Sequence, residues 1–187
     1  MAKKAKSTLL NMFLSLTVIA VVAAAVLALI SSVTKEPIEA SKRAKTENAI
    51  KAVLPPFDRM EDQDVNGMKC HLAYKGDDLA AVAVESASEN GFGGHLGIMY
   101  GFDAATGNIT GYSVLEMSET PGLGAKAGQW FQEGAKGCVI GKNPATDNLT
   151  VKKDGGDVDA ISGSTITSRA FCEALSAAYE TFQQIEK

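Results

Sequence analysis

Five hydroxyl side chains fall within seven positions around one glycine: Ser162, Ser164, Thr165, Thr167 and Ser168 flank Gly163, behind Asp159 and directly ahead of an amphipathic pattern. A helix start leaves backbone N–H groups free, and a glycine beside it lets the backbone come close to a ligand. Together these suit an anion, and a phosphate above all. The arrangement sets the Thr165 hydroxyl on that anion site. Helix capping by Ser or Thr accounts for one or two hydroxyls but not for five. About forty residues upstream stands a second run, Glu119-Thr120-Pro121-Gly122-Leu123-Gly124, in which glycines open the backbone and a proline stiffens it. Alone, that run reads as a connection between a strand and a helix. A third, Gly91-Phe92-Gly93-Gly94, reads as a flexible loop.

The remaining reactive residue types carry less. His71 and His95 have no neighbours in sequence that suggest a metal or a catalytic triad, and both are expected to be structural. No His–acid pair is placed near Ser162 or Thr165 by any visible motif, which argues against a hydrolase. Asp154, Asp157 and Asp159 form a loose acidic cluster, read as a solvated loop with a cation site as the alternative. Cys70, Cys138 and Cys172 are an odd number without metal-type spacing. They are read as thiols packed like small hydrophobes, a single pair in an oxidising compartment being the alternative. A net charge of -4 and the absence of a basic patch beyond the N-terminus exclude nucleic acid as the expected partner.

These residues need a frame. Leu9 to Val33 contains no charged residue, and a helix of about 20 apolar residues crosses the hydrocarbon layer of a membrane. Lys3, Lys4 and Lys6 precede the run, while Lys35, Lys42, Arg43 and Lys45 follow it. Charge counting alone leaves the sidedness open, but the short basic start reads as an uncleaved signal-anchor with residues 35–187 outside the cytoplasm. Glu36 to Leu54 predicts a helical stalk stopped by Pro55-Pro56, and Asp58 to Asn66 a linker. Met68–Tyr74 and Leu79–Glu85 predict a hairpin around Gly76-Asp77-Asp78, and Leu96–Phe102 and Asn108–Met117 a second around Ala104–Gly107. A short helix over 125–132 and short strands at 138–140 and 149–152 follow. Phe171, Ala174, Leu175, Ala178, Phe182 and Ile185 recur at helical spacing and mark a final helix with one buried face. The expected fold is α+β, a largely antiparallel sheet with flanking helices. The expected division is an anchor over 1–34, a stalk and linker over 35–66, and an extracytoplasmic domain over 67–187.

Asp159-x-x-Ser162-Gly163-Ser164-Thr165 resembles the flavinylation motif of the FMN-binding domain in two related membrane complexes. These are the Rnf-type ferredoxin:NAD electron-transport complex, in its G-type subunit, and the sodium-translocating NADH:quinone reductase, in its C-type subunit. The resemblance implies FMN joined by a phosphoester to Thr165, placed there by a flavin transferase that uses FAD and recognises Asp159, Ser162 and Gly163. The family usually has alanine where this chain has Ser164, so Ser164 and Thr167 stand as competing acceptors. Glu119 to Gly124 resembles the family loop against the flavin ring. Glu119 and Thr120 would then bond the pyrimidine side, with Gly122, Leu123 and Gly124 bringing backbone to the ring. Such contacts shift a flavin's potential. Two positions before Glu119 the family commonly carries histidine, and here Met117 stands instead. Gly91 to Gly94, then Gly101 and Asp103, resembles the entry to the same domain, with Phe92 available to the ring.

The resemblance covers nearly the whole chain, and a length of 187 residues favours the Rnf-type member of the pair. It implies a membrane-anchored relay of electrons coupled to ion translocation. The implied partners are integral membrane and iron–sulfur subunits. Two other readings stay open. A stand-alone extracytoplasmic electron-transfer domain would share the cofactor, and a non-redox membrane-anchored adaptor would be colourless and indifferent to Thr165→Ala.

Overall fold

The computed structural model describes residues 8–185. Lys3, Lys4 and Lys6, whose charges bear on membrane orientation, lie outside the described residues. The chain divides into two compact units, Met1–Ala44 and Lys45–Lys187.

The first helix, α1, spans Leu9–Val53 and runs through Pro37, so the predicted anchor and stalk are one helical element. Its apolar window has a mean hydropathy of 2.8 and is wholly exposed. It is long and apolar enough to cross a membrane. The helix ends where Pro55-Pro56 is expected to stop it: Leu54 N–H still reaches Ile50 O at 3.0 Å, and no helical turn follows.

The second unit is built on a five-stranded sheet in the order β1-β2-β3-β4-β5, antiparallel throughout. The strands are β1 Arg59–Val65, β2 Met68–Lys75, β3 Asp78–Gly91, β4 Gly94–Asp103 and β5 Ile109–Met117. The stretch expected to be a linker is therefore β1. Its composition, Arg-Met-Glu-Asp-Gln-Asp-Val, hides it, because an edge strand open to water needs no apolar face. What makes it a strand is the turn: Asn66 and Gly67 take φ of 54° and 78°, the two left-handed positions of a tight hairpin. β3 likewise runs past Glu85 to Gly91, since Ser86 and Ser88 face inward and bond to Ala174 O (2.8 Å) and Glu173 Oε2 (2.7 Å). The short strands predicted at 138–140 and 149–152 do not form. That region is turns, with one parallel bridge between Val151 and Val158. The predicted helix near Trp130 is a 3-10 turn, Gly124–Lys126, running into α2, Ala127–Trp130.

The last helix, α3, spans Thr165–Gln183 and lays its apolar face across the sheet. Alternation along β4 sends Leu96, Ile98, Tyr100 and Phe102 toward α3 and Met99 to the opposite face. Phe171 of α3 stacks on Phe131 with ring centroids 4.0 Å apart, and burying a ring of that size contributes about 2–3 kcal/mol. On the opposite face, the end of α1 (Ala49, Ile50, Val53) packs over Ala73, Ala81, Ala83 and Met99. Small residues there let helix backbone meet sheet backbone. Cys70 and Cys172 are buried and Cys138 half-buried, all unpaired, as the packed-thiol reading expects. Burial pushes the Cys70 thiol up to about 11 and Cys172 to about 12, so both stay protonated and inert.

Candidate functional site

Thr165 is the first residue of α3, and Ser164 precedes it as the cap position without using its side chain to cap. Gly163 has φ of 78°, the left-handed turn that aims the following residues into the helix. Ser168 locks this entry: its hydroxyl accepts from Ile161 N–H (2.9 Å) and donates to Ser164 O (3.0 Å). One of the five hydroxyls is thus a structural brace. Burial sorts the others. Thr167 is wholly buried and Ser164 is 8% exposed, whereas Thr165 is half-buried and Ser162 open. Of the candidate acceptors Thr165, Ser164 and Thr167, only Thr165 combines a place at the helix start with access from solvent.

The upstream run folds as a loop between β5 and the 3-10 turn. Thr120 O accepts from Leu123 N–H (3.1 Å) and Ala125 N–H (3.2 Å), and Gly122 turns the chain with φ of 78°. Thr120, Gly122 and Leu123 are exposed. Glu119 turns inward: it is 9% exposed, and its Oε1 accepts from Gly93 N–H at 3.3 Å. Gly93 can lie there only as glycine, since a Cβ would collide with the Ser118 carbonyl.

The three glycine-bearing runs meet. A Cβ on Gly124 would strike the Glu119 carboxylate and stand 2.8 Å from Thr167 Oγ1, and one on Gly163 would touch Leu123 Cδ2 at 3.4 Å. A Cβ on Gly91 would lie 2.9 Å from Glu119 Oε1. Glu119, Gly124 and Thr167 therefore form one recess joining the β3–β4 hairpin tip, the Pro-Gly loop and the first turn of α3. Glu119 Oε2 and Thr167 Oγ1 are buried there without a hydrogen-bond partner. An orphaned buried polar group costs about 1–3 kcal/mol. Around it, every large exposed hydrophobic of the second unit except Met60 sits on or beside these runs: Phe92, Met117, Leu123 and Ile166.

Asp159 accepts an ion pair from Lys152 Nζ at 2.7 Å, and its carbonyl accepts the Trp130 indole N–H at 2.8 Å. Asp154 holds Arg169 through two bonds of 2.7 Å, and those bonds keep its carboxyl below the usual range. Asp154 and Asp159 of the acidic cluster are thus ion-paired, Asp157 is exposed, and no metal-binding group of three occurs among the described residues. Lys153 Nζ donates to Thr165 Oγ1 at 3.2 Å. The sequence alone does not single this lysine out, because Lys152-Lys153 stands just ahead of the more conspicuous acids. His71 bonds Asp62 and Glu85, and His95 bonds Glu89 at 2.6 Å, so both histidines are tied to carboxylates as structural groups.

The exposed surface beside this packed seam can serve a flat aromatic ring with polar edges attached to a phosphate. Exposed apolar side chains flank it, glycine backbone comes close, two buried oxygens lack partners, and a cation faces the hydroxyl at the helix start. These features fit FMN.

A family profile described as the FMN-binding domain matches residues 91–180, which contain all three runs. Along most of its length the chain is also similar to proteins named as the G subunit of an ion-translocating oxidoreductase complex. The one from Methanosarcina acetivorans is 34% identical, over 91% of this chain and 92% of its own. The one from Erwinia tasmaniensis is 33% identical, over 86% and 83%. An Acetobacterium woodii protein, named as the G subunit of a Na(+)-translocating ferredoxin:NAD(+) oxidoreductase complex, is 29% identical, over 93% and 91%.

Proposed function

The chain belongs to the G-subunit family of ion-translocating oxidoreductase complexes, and from that premise we propose that it relays electrons through FMN esterified to Thr165. It is an electron-transfer subunit of such a complex rather than a stand-alone catalyst. The observation that carries the covalent reading is the sorting of hydroxyls. Thr165 stands half-buried at the start of α3 beside Lys153, while Ser164 and Thr167 are buried.

FMN supplies one- and two-electron chemistry, so it joins carriers of either kind. The chain's own residues have separate tasks. Thr165 tethers rather than attacks substrate. The α3 N-terminus would balance part of the phosphate charge. Gly122 would let backbone approach the ring, with the exposed Leu123 and Phe92 available to its faces and Thr120 to its polar edge, while Gly124, buried against Glu119 and Thr167, would shape the loop. Glu119 bonds Gly93, holding the hairpin tip to the loop, and sets a carboxylate oxygen toward Thr167. Asp159, Ser162 and Gly163 form the sequence read by a flavin transferase. α1 anchors the protein in the cytoplasmic membrane, with the FMN domain on the extracytoplasmic side, among integral membrane and iron–sulfur subunits.

The test is in-gel fluorescence of the denatured protein from a host that contains the transferase, comparing wild type with Thr165→Ala. A fluorescent wild type and a dark variant support the ester at Thr165. A dark wild type with an unmodified intact mass would sink it and favour the colourless adaptor.

A further inference from the structure

Three cations stand around the start of α3, and two are already neutralised. Lys152 is paired with Asp159, and Arg169 is held through two bonds by Asp154. Lys153 is different. Its Nζ makes no ion pair among the described residues and donates to Thr165 Oγ1 at 3.2 Å.

The loop that carries Lys153 is firmly built. The 3-10 turn Lys152–Asp154 is closed by Asp154 N–H on Val151 O (2.8 Å) and Gly155 N–H on Lys152 O (3.1 Å). The Val151–Val158 bridge fixes its base, with Lys152 N–H on Val158 O at 2.9 Å. Gly156 lies so close to Thr150 that a Cβ would strike its carbonyl and hydroxyl. On so fixed a backbone, only the lysine's own rotamers remain to be ordered when it engages an anion.

We infer that Lys153 is the counter-ion and positioning residue of the phosphate on Thr165, and that Asp159 and Asp154 keep Lys152 and Arg169 occupied so that one cation faces it. The inference rests on the covalent reading above. In the transfer from flavin adenine dinucleotide, a bond forms between Thr165 Oγ1 and the flavin-side phosphorus. The bond from that phosphorus to the oxygen bridging to AMP breaks, and AMP leaves. The hydroxyl proton goes to a base of the transferase, and nothing is oxidised or reduced. The resulting diester carries one negative charge, matched by one ammonium. Lysine offers three N–H donors and no acceptor. One can hold Oγ1 in place while the others meet non-bridging oxygens, and a protonated lysine cannot serve as the base.

The experiment uses the full chain in detergent with purified transferase and flavin adenine dinucleotide, comparing wild type, Lys153→Met, Lys153→Arg and Lys75→Met. The initial rate of flavin attachment is read by in-gel fluorescence, and the phosphorus resonance of the finished ester by NMR. Losing a charged hydrogen bond should slow Lys153→Met about tenfold or more. Lys153→Arg should recover most of the rate, and Lys75→Met, at an exposed lysine at the end of β2, should stay within about twofold. The phosphorus resonance should move in Lys153→Met and return in Lys153→Arg. A Lys153→Met protein loaded at the wild-type rate with an unmoved resonance overturns the inference and leaves the ester standing. An arginine variant as slow as the methionine one overturns the charge role. A wild type that takes no flavin removes the covalent reading itself, and this inference with it. Lys153 is exposed, and circular dichroism of each variant before loading separates slow attachment from loss of fold.

Discussion

Of the places in this unit where glycine brings backbone against side chain or backbone, two differ in outcome. Where the end of α1 meets the sheet, Gly101 and Gly111 leave room for the Val53 main chain, and Thr110 Oγ1 donates to Val53 O at 2.6 Å. Every approach there ends in apolar packing or a hydrogen bond. In the recess, Gly91, Gly93 and Gly124 close around Glu119, yet Glu119 Oε2 and Thr167 Oγ1 are left without partners. A seam that only has to hold satisfies its polar groups. A seam that leaves them idle forgoes stability, which supports the functional reading proposed for it.

The sharpest way to break this contrast is at Gly101. A Cβ there collides with the Val53 carbonyl and stands 2.5 Å from Thr110 Oγ1, and the strand and helix on either side cannot give way. Gly101→Ala should cost about 3 kcal/mol, the upper end of ordinary overpacking, and lower the melting temperature by about 10 °C. Thermal unfolding of the full chain in detergent reads it. At Gly124 the collision is chiefly with the Glu119 side chain, which can rotate, so Gly124→Ala should cost about 1–2 kcal/mol. Its larger effect should be a shifted flavin absorption spectrum. If Gly124→Ala destabilises as much as Gly101→Ala and leaves the spectrum alone, both seams are structural and the contrast fails.

A pair of matched substitutions sharpens it further. Thr110→Val removes the partner of a seated carbonyl and should lower stability by about 1 kcal/mol. Thr167→Val removes a buried hydroxyl that has no partner, so in the flavin-free protein it should raise stability by about 1 kcal/mol, since only an uncompensated desolvation is lost. Chemical unfolding of the two apoproteins checks the opposite signs. A destabilised Thr167→Val apoprotein would mean that the hydroxyl is satisfied and the recess is not idle.

The two regions are also unequally legible in the sequence. The hydroxyl run stands out because helix capping accounts for only one or two of its five hydroxyls, whereas the Pro-Gly run and Gly91–Gly94 read alone as a connection and a flexible loop. Their convergence on Gly124 is not visible there, since residues 91, 124 and 167 are joined only by tertiary folding. Lys153 stays hidden because a surface lysine beside acids is ordinary until its direction is known. The notch at Gly101 and Gly111 is hidden for the same reason. Each glycine sits inside a strand that reads normally without it. β1 reads as a linker because edge strands can be polar along their length, although Asn66-Gly67 is a hairpin signal.

The smallest effect tests the satisfied side of the contrast at His71. Its ring is buried, yet its nitrogens reach Asp62 Oδ1 at 2.6 Å and Glu85 Oε1 at 3.1 Å. Burial alone would lower its pKa, but the hydrogen bonds to Glu85 and Asp62, helped by their charges, outweigh it and raise the value above 6.5. Both nitrogens can donate only when the ring is protonated. A raised value in the folded state makes the clamp fully stabilising below about pH 6.5, the unfolded value, and lost as pH rises through the folded one. The stability difference between wild type and His71→Gln should therefore be larger at about pH 6 than at about pH 9. Urea unfolding at the two values measures it. A difference independent of pH would show that His71 is held neutral with one nitrogen unsatisfied. The clamp between β1, β2 and β3 would then join Thr167 among the buried polar groups whose partners the chain does not itself supply.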